Sequence, residues 1–161
     1  MKACFTGHRQ IEPEDMLRLP ELLGDILKEL IARGVDTFYA GGALGFDTLA
    51  SLKVLEMKNR YPHLRLCLIL PHRGQSDGWT DRNREIYEYI LRRADAIRYV
   101  CEEYRPSCMH KRNRALVDES AICVAFCEKE QGGSAYTLSY ARQKGKECIN
   151  LYDRVRSKTS R

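Results

Sequence analysis

The chain has 161 residues, of which 43% are hydrophobic and 30% charged; that is enough for one domain with a full core and too few for two. Its longest apolar runs, such as Leu66 to Leu70, fall far short of a membrane span, and the opening Met1 to Gly7 runs into glycine where a signal peptide would need a longer apolar segment, so a cytosolic protein without membrane contact is expected. The last nine residues, Asp153 to Arg161, hold four basic groups and one acid and so carry +3 of the net +5; the +2 left to the body is not the footprint of a dedicated duplex-DNA binder.

Lys2 to Thr6 reads as a first strand ending at Thr6-Gly7-His8-Arg9, and Pro13 and Pro20 bracket a loop or short turn. From Leu19 to Arg33 the residues Leu22, Leu23, Ile26, Leu27, Leu30 and Ile31 recur at spacings of three and four, the stripe of an amphipathic helix, and Gly34 closes it. Thr37 to Ala40 is a second strand that runs into Gly41-Gly42-Ala43-Leu44-Gly45-Phe46-Asp47, and a second long helix spans about Phe46 to Lys58. Leu64 to Leu70 is apolar without alternation apart from Arg65, the pattern of a strand buried on both faces and therefore of a parallel sheet. A loop rich in helix breakers follows, Pro71 to Trp79, then a helix over Asp81 to Arg93 and a strand over Ala96 to Val100. Met109 to Asp118 is a basic-headed helix, Ala121 to Phe126 a strand, Ala135 to Lys144 a helix, and Glu147 to Leu151 a last strand. Strand and helix alternate throughout. The expected fold is α/β: one three-layer Rossmann-like domain over residues 1–152, a mostly parallel sheet flanked by helices, followed by a basic, disordered tail over 153–161.

In such a sheet ligands bind beyond the carboxyl ends of the strands. Three strand ends carry suitable residues: Thr6, Gly7 and Arg9; Gly41, Gly42, Ala43, Gly45 and Asp47; and Gly132, Gly133, Ser134 and Thr137 after Gln131. A strand that ends in glycine and opens a helix offers backbone N–H groups and the positive end of a helix dipole to a phosphate. Arg9 can clamp a phosphate in two-pronged fashion. Asp47 either caps its helix or bonds a ribose hydroxyl, and Ser134 and Thr137 either cap theirs or touch phosphate. Trp79 is either a plug for the sheet edge or a lid that stacks on a base. Four potentially cationic side chains fall within His110 to Arg114, and Arg112 with Asn113 forms a third anchor.

Several chemistries are disfavoured. The P-loop motif Gly-x-x-x-x-Gly-Lys-Ser/Thr is absent. Ala40 to Gly45 would be a dinucleotide fingerprint with alanine in first place, it follows the second strand, and the next strand ends at Leu70-Pro71-His72 without the acid that holds a ribose. No His, Cys and Asp set has metal-ligand spacing, so no metal and no required cofactor are expected. The seven cysteines form no Cys-x-x-Cys pair; Cys4, Cys67, Cys123 and Cys148 sit in strands as small hydrophobes, leaving Cys101 and Cys108 as the pair worth testing for redox chemistry.

The combination of Phe5-Thr-Gly-His-Arg9, Gly41 to Asp47, the Trp79 loop, Arg112 to Asp118 and Gly132 to Ala141 resembles the YpsA-like proteins, within the Rossmann-like superfamily that joins DprA to the LOG phosphoribohydrolases. The resemblance covers nearly all of the chain before the tail. It implies a nucleotide-type ligand of the ADP-ribose or NAD kind at the glycine-rich strand ends, held in a sensor or regulatory module, and it implies homodimerisation. LOG enzymes cleave the base from a nucleoside monophosphate with Met-His-x-Arg-Lys and Pro-Gly-Gly-x-Gly-Thr-x-x-Glu. Here Met109-His110-Lys111-Arg112 matches, Asn113 replaces the lysine, and the glutamate is absent from the loop that starts at Gly132. Glycosidic hydrolysis needs a carboxylate, so Asp47, Asp118 and Glu119 are the weak catalytic candidates. The DprA branch, similar through Arg112-Asn113-Arg114 and Gly133-Ser134-Ala135, implies single-stranded DNA. Nucleic acid is the less favoured partner because that binding needs a basic groove with stacking aromatics, for which the cationic candidates are Arg9, Arg73, Arg112 and Arg114.

Overall fold

The computed structural model describes residues 1–128 and 132–159, with no side-chain description for 158 and 159; Gln131 and the last two residues of the tail therefore lie outside the described residues. In chain order the elements are β1 (Lys2–Gly7), α1 (Pro13–Met16), α2 (Leu19–Ala32), β2 (Thr37–Ala40), α3 (Phe46–Met57), β3 (Arg65–Leu70), α4 (Asp81–Arg93), β4 (Ala96–Tyr99), α5 (Cys108–Asp118), β5 (Ile122–Phe126), α6 (Gly133–Gln143), β6 (Glu147–Asn150) and α7 (Leu151–Thr159). The strands form one six-stranded sheet in the order β4-β3-β2-β1-β5-β6, and every adjacent pair is parallel. The expected three-layer α/β domain is present, and its sheet is parallel throughout.

The two faces of the sheet are filled differently. On one, Phe5, Phe38, Leu66, Leu68, Val124 and Phe126 pack with buried residues of α2, α3, α4 and α7. The apolar stripe expected from Leu19 onward does this, with Leu19, Leu23, Ile26, Leu27 and Leu30 all buried. On the other face Cys4, Ile69, Cys123 and Ala125 pack against Leu116 and Val117 of α5 and Leu138 and Ala141 of α6. Cys4, Cys123 and Cys148 stand in matching register on β1, β5 and β6 as reduced, strand-borne small hydrophobes.

The Pro13 segment, expected as a loop or short turn, is a one-turn helix with proline in its first turn, where the missing N–H is no loss. One segment departs from expectation. The tail from Asp153 is not disordered as far as it is described. The chain turns from β6 directly into α7, where Leu151 and Val155, four residues apart, are 0% and 1% exposed and anchor the helix against the β5 side of the core. Arg154 and Arg156 are exposed, and charged residues interleaved with so few apolar ones are why composition alone suggested a solvated tail. No described helix is long and apolar enough to cross a membrane.

Candidate functional site

Sheet order reverses between β1, which leads toward β2 on one side, and β5 on the other. At that switch point the strands' carboxyl ends diverge and open a crevice of about 480 Å³. Its apolar floor is Phe5, Phe126 and Leu116, and its walls come from the β1 end, the β2–α3 loop, α5, the start of α6, and the α1 and α7 segments.

The β1 end is pinned on both sides. The His8 N–H donates to the Phe126 carbonyl at 3.1 Å, and the His8 carbonyl accepts the Phe46 N–H at 3.0 Å. This clamp holds Thr6, Gly7 and Arg9 along one rim, all of them lining the crevice as expected. Arg112 and Asn113 of α5 also line it, 5% and 8% exposed. Arg112 is fixed on every side. Its Nε donates to Asn113 Oδ1 at 2.8 Å, Nη1 donates to the Gly41 carbonyl, and Nη2 lies 3.6 Å from Met109 Sδ. A guanidinium keeps its charge at this depth, and such partners offset the cost of its desolvation. Gly132, Gly133 and Ser134 complete the opposite wall, where α6 begins without a side-chain cap among the described residues, so its N-terminal N–H groups face the crevice side as a helix dipole's positive end.

The glycine-rich loop does a different job from the one expected. Only Ala43 and Asp47 of its candidates line the crevice. A Cβ on Gly41 would sit 2.5 Å from Arg112 Nη1, one on Gly42 would sit 2.5 Å from Leu70, and one on Gly45 would sit 2.3 Å from the Arg9 carbonyl. These glycines let the loop pass beneath Arg112 and behind the β1 end; they position the cavity from outside. Gln75, buried in the Pro71–Trp79 loop, supports the same point. It donates to the Gly41 carbonyl at 3.4 Å and accepts from the Tyr87 hydroxyl at 3.2 Å.

Asp47 is one of four acids that line the crevice, with Glu12, Asp15 and Glu128. It is 5% exposed, and its Oδ2 accepts the Ala43 N–H at 3.3 Å, so it braces the loop in front of α3. Burial pushes its carboxyl up to about 6, against the opposing pull of Arg112, the Ala43 N–H and Arg9. The same burial lowers Arg112 from its ordinary value, with Asp47 opposing. A raised folded-state value means that the unfolded chain holds the Asp47 charge more cheaply. Its contribution to stability is complete below the unfolded value near 3.8 and is lost as pH rises through about 6. Wild type is therefore expected to lose about 1.4 kcal/mol between roughly pH 5 and pH 7.5 that an Asp47→Asn chain does not lose, read from urea unfolding at both values; parallel pH profiles of the two proteins would contradict this.

Other sequence candidates are elsewhere. Thr137 is fully buried and its hydroxyl donates back to the Gly133 carbonyl at 2.8 Å, inside α6. Trp79 packs edge-on against Tyr87 at 5.2 Å on the core side, the plug of its two readings, and is not a crevice residue. Asp118 and Glu119 lie at the far end of α5, where Asp118 accepts from the Tyr140 hydroxyl at 2.8 Å and Glu119 pairs with Arg98. Of the three catalytic candidates only Asp47 reaches the crevice. Arg73 lies over the Tyr99 ring, and Arg114 reaches toward the Tyr136 hydroxyl at 3.4 Å. The described residues contain no cluster of His, Cys, Asp or Glu able to hold a metal ion.

A further wall was not foreseen. Tyr152 and Arg156 of α7 face Glu12 and Asp15 across the crevice, with Arg156 Nη2 and Asp15 Oδ2 at 3.3 Å. The Leu151 and Val155 pair was the available signal, since it predicts a helix that must turn one face to the core. His8 Nε2 accepts the Glu128 N–H at 3.0 Å, and its ring meets Phe126 and Tyr152 at 5.7 and 6.0 Å.

The YpsA family model, described as the YspA SLOG family, matches residues 4–155. The chain is 30% identical over 141 residues to the uncharacterized SPbeta prophage-derived protein YoqJ of Bacillus subtilis (strain 168), covering 80% of this chain and 82% of that protein. It is also 30% identical over 122 residues to a UPF0398 protein of Bacillus thuringiensis (strain Al Hakam), covering 74% and 66%. Among solved structures, DNA processing protein A from Helicobacter pylori, whose description concerns its single-stranded DNA binding mode, superposes with a TM-score of 0.65 at 19% identity, covering 92% of this chain and 63% of that one. DprA from Streptococcus pneumoniae gives 0.65 at 16%, covering 91% and 48%, and TM1055 gives 0.60 at 17%, covering 96% and 79%. At these identities the likeness is one of fold. The chain spans less than two thirds of the length of either DprA protein and of the UPF0398 relative.

Proposed function

This chain belongs to the YpsA family of SLOG proteins, and from that premise we propose that its crevice binds a nucleotide or nucleotide-derived ligand of the ADP-ribose or NAD kind, as a sensor or regulatory module. The observation that carries the reading is Arg112: a buried guanidinium, locked by Asn113 and the Gly41 carbonyl, that lines a 480 Å³ crevice whose other wall is the uncapped start of α6. Anionic oxygens are the groups that such an arrangement recognises. Arg9 at the open rim adds a second cation, and the Phe5 and Phe126 floor suits the apolar part of a sugar or base.

A panel of mono-, di- and dinucleotides, ADP-ribose and NAD included, tests the reading by thermal shift. The ligand that fits should stabilise the folded chain by about 2.7 kcal/mol at one hundred times its dissociation constant; a folded protein that none of them shifts contradicts it. A second reading rests on Asp47, whose carboxyl at about 6 is poised to exchange a proton at neutral pH. On that reading the crevice hydrolyses the N-glycosidic bond of a nucleoside monophosphate. Chromatography of the same mixtures for free base separates the two, since a binder returns its nucleotide intact. Adding a short single-stranded oligonucleotide to the panel covers the DprA-type reading, which requires binding that weakens steeply with salt.

A further inference from the structure

The two faces of the sheet are covered unequally. Residues of α2, α3, α4 and α7 fill one face, while α5 and α6 serve the other, α5 over β1 and β3 and α6 over β1, β5 and β6. A parallel sheet ordinarily has cover on both faces. Here β4 and the amino halves of β2 and β3 are left as the floor of an open trough of about 250 Å³ on the α5 side. Strand register sets its residues in rows. Lys2, Thr37 and Arg65 stand opposite one another on β1, β2 and β3; two residues on come Tyr39, Cys67 and Ala96; two further on come Ile69 and Arg98. The middle row is the least polar, with Cys67 6% exposed and Tyr39 half-buried. The rows on either side of it are cationic. Lys2 Nζ lies 5.8 Å from the centre of the Tyr39 ring, and among the described residues neither Lys2 nor Arg65 belongs to an ion pair. Arg98 meets Glu119 at 3.4 Å, but both side chains are more than a third exposed, so that pair is weak and open to exchange. Finally, β4 is an edge of the sheet, with Ala96, Ile97 and Arg98 all exposed, and its outer backbone N–H and carbonyl groups face no described strand.

We propose that this face docks an extended acidic segment of a partner protein, which adds to β4 as a further strand and presents an acid, an apolar side chain and a second acid at alternate positions. Backbone pairing along β4 supplies the affinity common to strand addition, and the trough selects the side chains. The spacing follows from the rows. Side chains two residues apart on an added strand lie on the same face. An apolar side chain at the height of Ala96 lies over Ala96 and Cys67, and its neighbours two residues away stand at the heights of Arg98 and Arg65. The pattern reads the same in both directions, so it suits a parallel or an antiparallel strand. Charge decides against a second copy of this chain, whose own trough would bring Lys2, Arg65 and Arg98 against their like. Nucleic acid is the poorer fit, because single strands need stacking aromatics and the trough has one ring, Tyr39, with Lys2 already over it. Nor does a nucleic acid use the open backbone edge of β4.

The probe is a fluorescein-labelled peptide of valine and threonine with a phenylalanine at its centre and a glutamate two residues to either side. Fluorescence anisotropy reads its binding to the intact, folded chain with no nucleotide present. Wild type should bind it. A chain carrying both Arg65→Glu and Arg98→Glu should bind it at least about tenfold more weakly, the loss of two surface ion pairs, with circular dichroism unchanged because both side chains are exposed. A peptide with lysine in place of each glutamate should invert that order and prefer the doubly reversed chain. Moving each glutamate by one position turns the acids to the other face of the added strand and should weaken binding as much as the reversal does. A folded wild type that leaves the probe free, equal binding to wild type and the reversed chain, or indifference to the glutamate positions would each overturn the proposal. So would a short single-stranded oligonucleotide that displaces the probe and itself depends on Arg65 and Arg98, or sedimentation showing that wild type pairs with itself and the reversed chain does not.

Discussion

A Gly45→Ala chain is expected to lose at least about 3 kcal/mol of stability. Two costs coincide at that position. Gly45 has φ 79° and ψ −121°, a region open to glycine and strained for any residue with a Cβ, at about 1–2 kcal/mol. The new methyl would also lie 2.3 Å from the Arg9 carbonyl and 2.4 Å from the His8 carbonyl, both backbone atoms with no rotamer to escape into. Relief means pulling the start of α3 away from the β1 end. That breaks the bond from the Phe46 N–H to the His8 carbonyl, worth about 1 kcal/mol, and lifts Phe46 from between Phe5 and Phe126. Urea unfolding reads the loss as a lower midpoint at unchanged slope. A shift below about 1 kcal/mol would mean that the loop is not clamped as described.

Arg112→Met is expected to separate the two roles of that residue. Methionine keeps the apolar stem and removes the charge, so Asp47 is left buried without its main countercharge. Above about pH 6, where wild-type Asp47 is ionised, the variant should be less stable by about 2–3 kcal/mol. At about pH 5 the carboxyl can take up a proton instead, and most of that penalty should vanish. Ligand binding should fall at both values by about 10–100-fold, the equivalent of one charge-assisted bond of about 1.5–3 kcal/mol. A variant that is equally destabilised at both pH values, or that binds nucleotide as well as wild type, would show that Arg112 serves packing alone.

The fold was largely legible in the sequence because local signals and global topology agree. Unbroken apolar strands such as Leu66 to Leu70 require cover on both faces, and each is separated from the next by a stretch long enough for a crossover helix. Where local signal was weak, the reading failed. The helix α7 rests on two buried apolar residues, Leu151 and Val155, amid charged neighbours.

Site residues divided along physical lines. Of the residues named from sequence, Arg9, Asp47, Arg112 and Asn113 line the crevice: Arg9 follows the end of β1, Asp47 opens α3 beyond β2, and Arg112 and Asn113 stood out as part of a cation-rich stretch. The roles of Gly41, Gly42 and Gly45 could not be read, since a glycine that admits a ligand and a glycine that admits a neighbouring backbone look alike until the neighbour is seen. Gln75 and Asp15 were missed because nothing in their local sequence reports burial, and Trp79 drew notice for its type while packing against Tyr87.

The central claim is that one crevice, between the ends of β1 and β5, is where a nucleotide binds. Backbone amide signals of the intact chain, followed by nuclear magnetic resonance during titration with the most stabilising nucleotide of the panel, test it most directly. The shifts should concentrate at Thr6 to Arg9, Ala43, Arg112 and Asn113, and Gly132 to Ser134. Shifts confined to the other end of the strands, around Lys2, Thr37, Arg65 and Ala96, or no shifts at all with the protein folded, would contradict it.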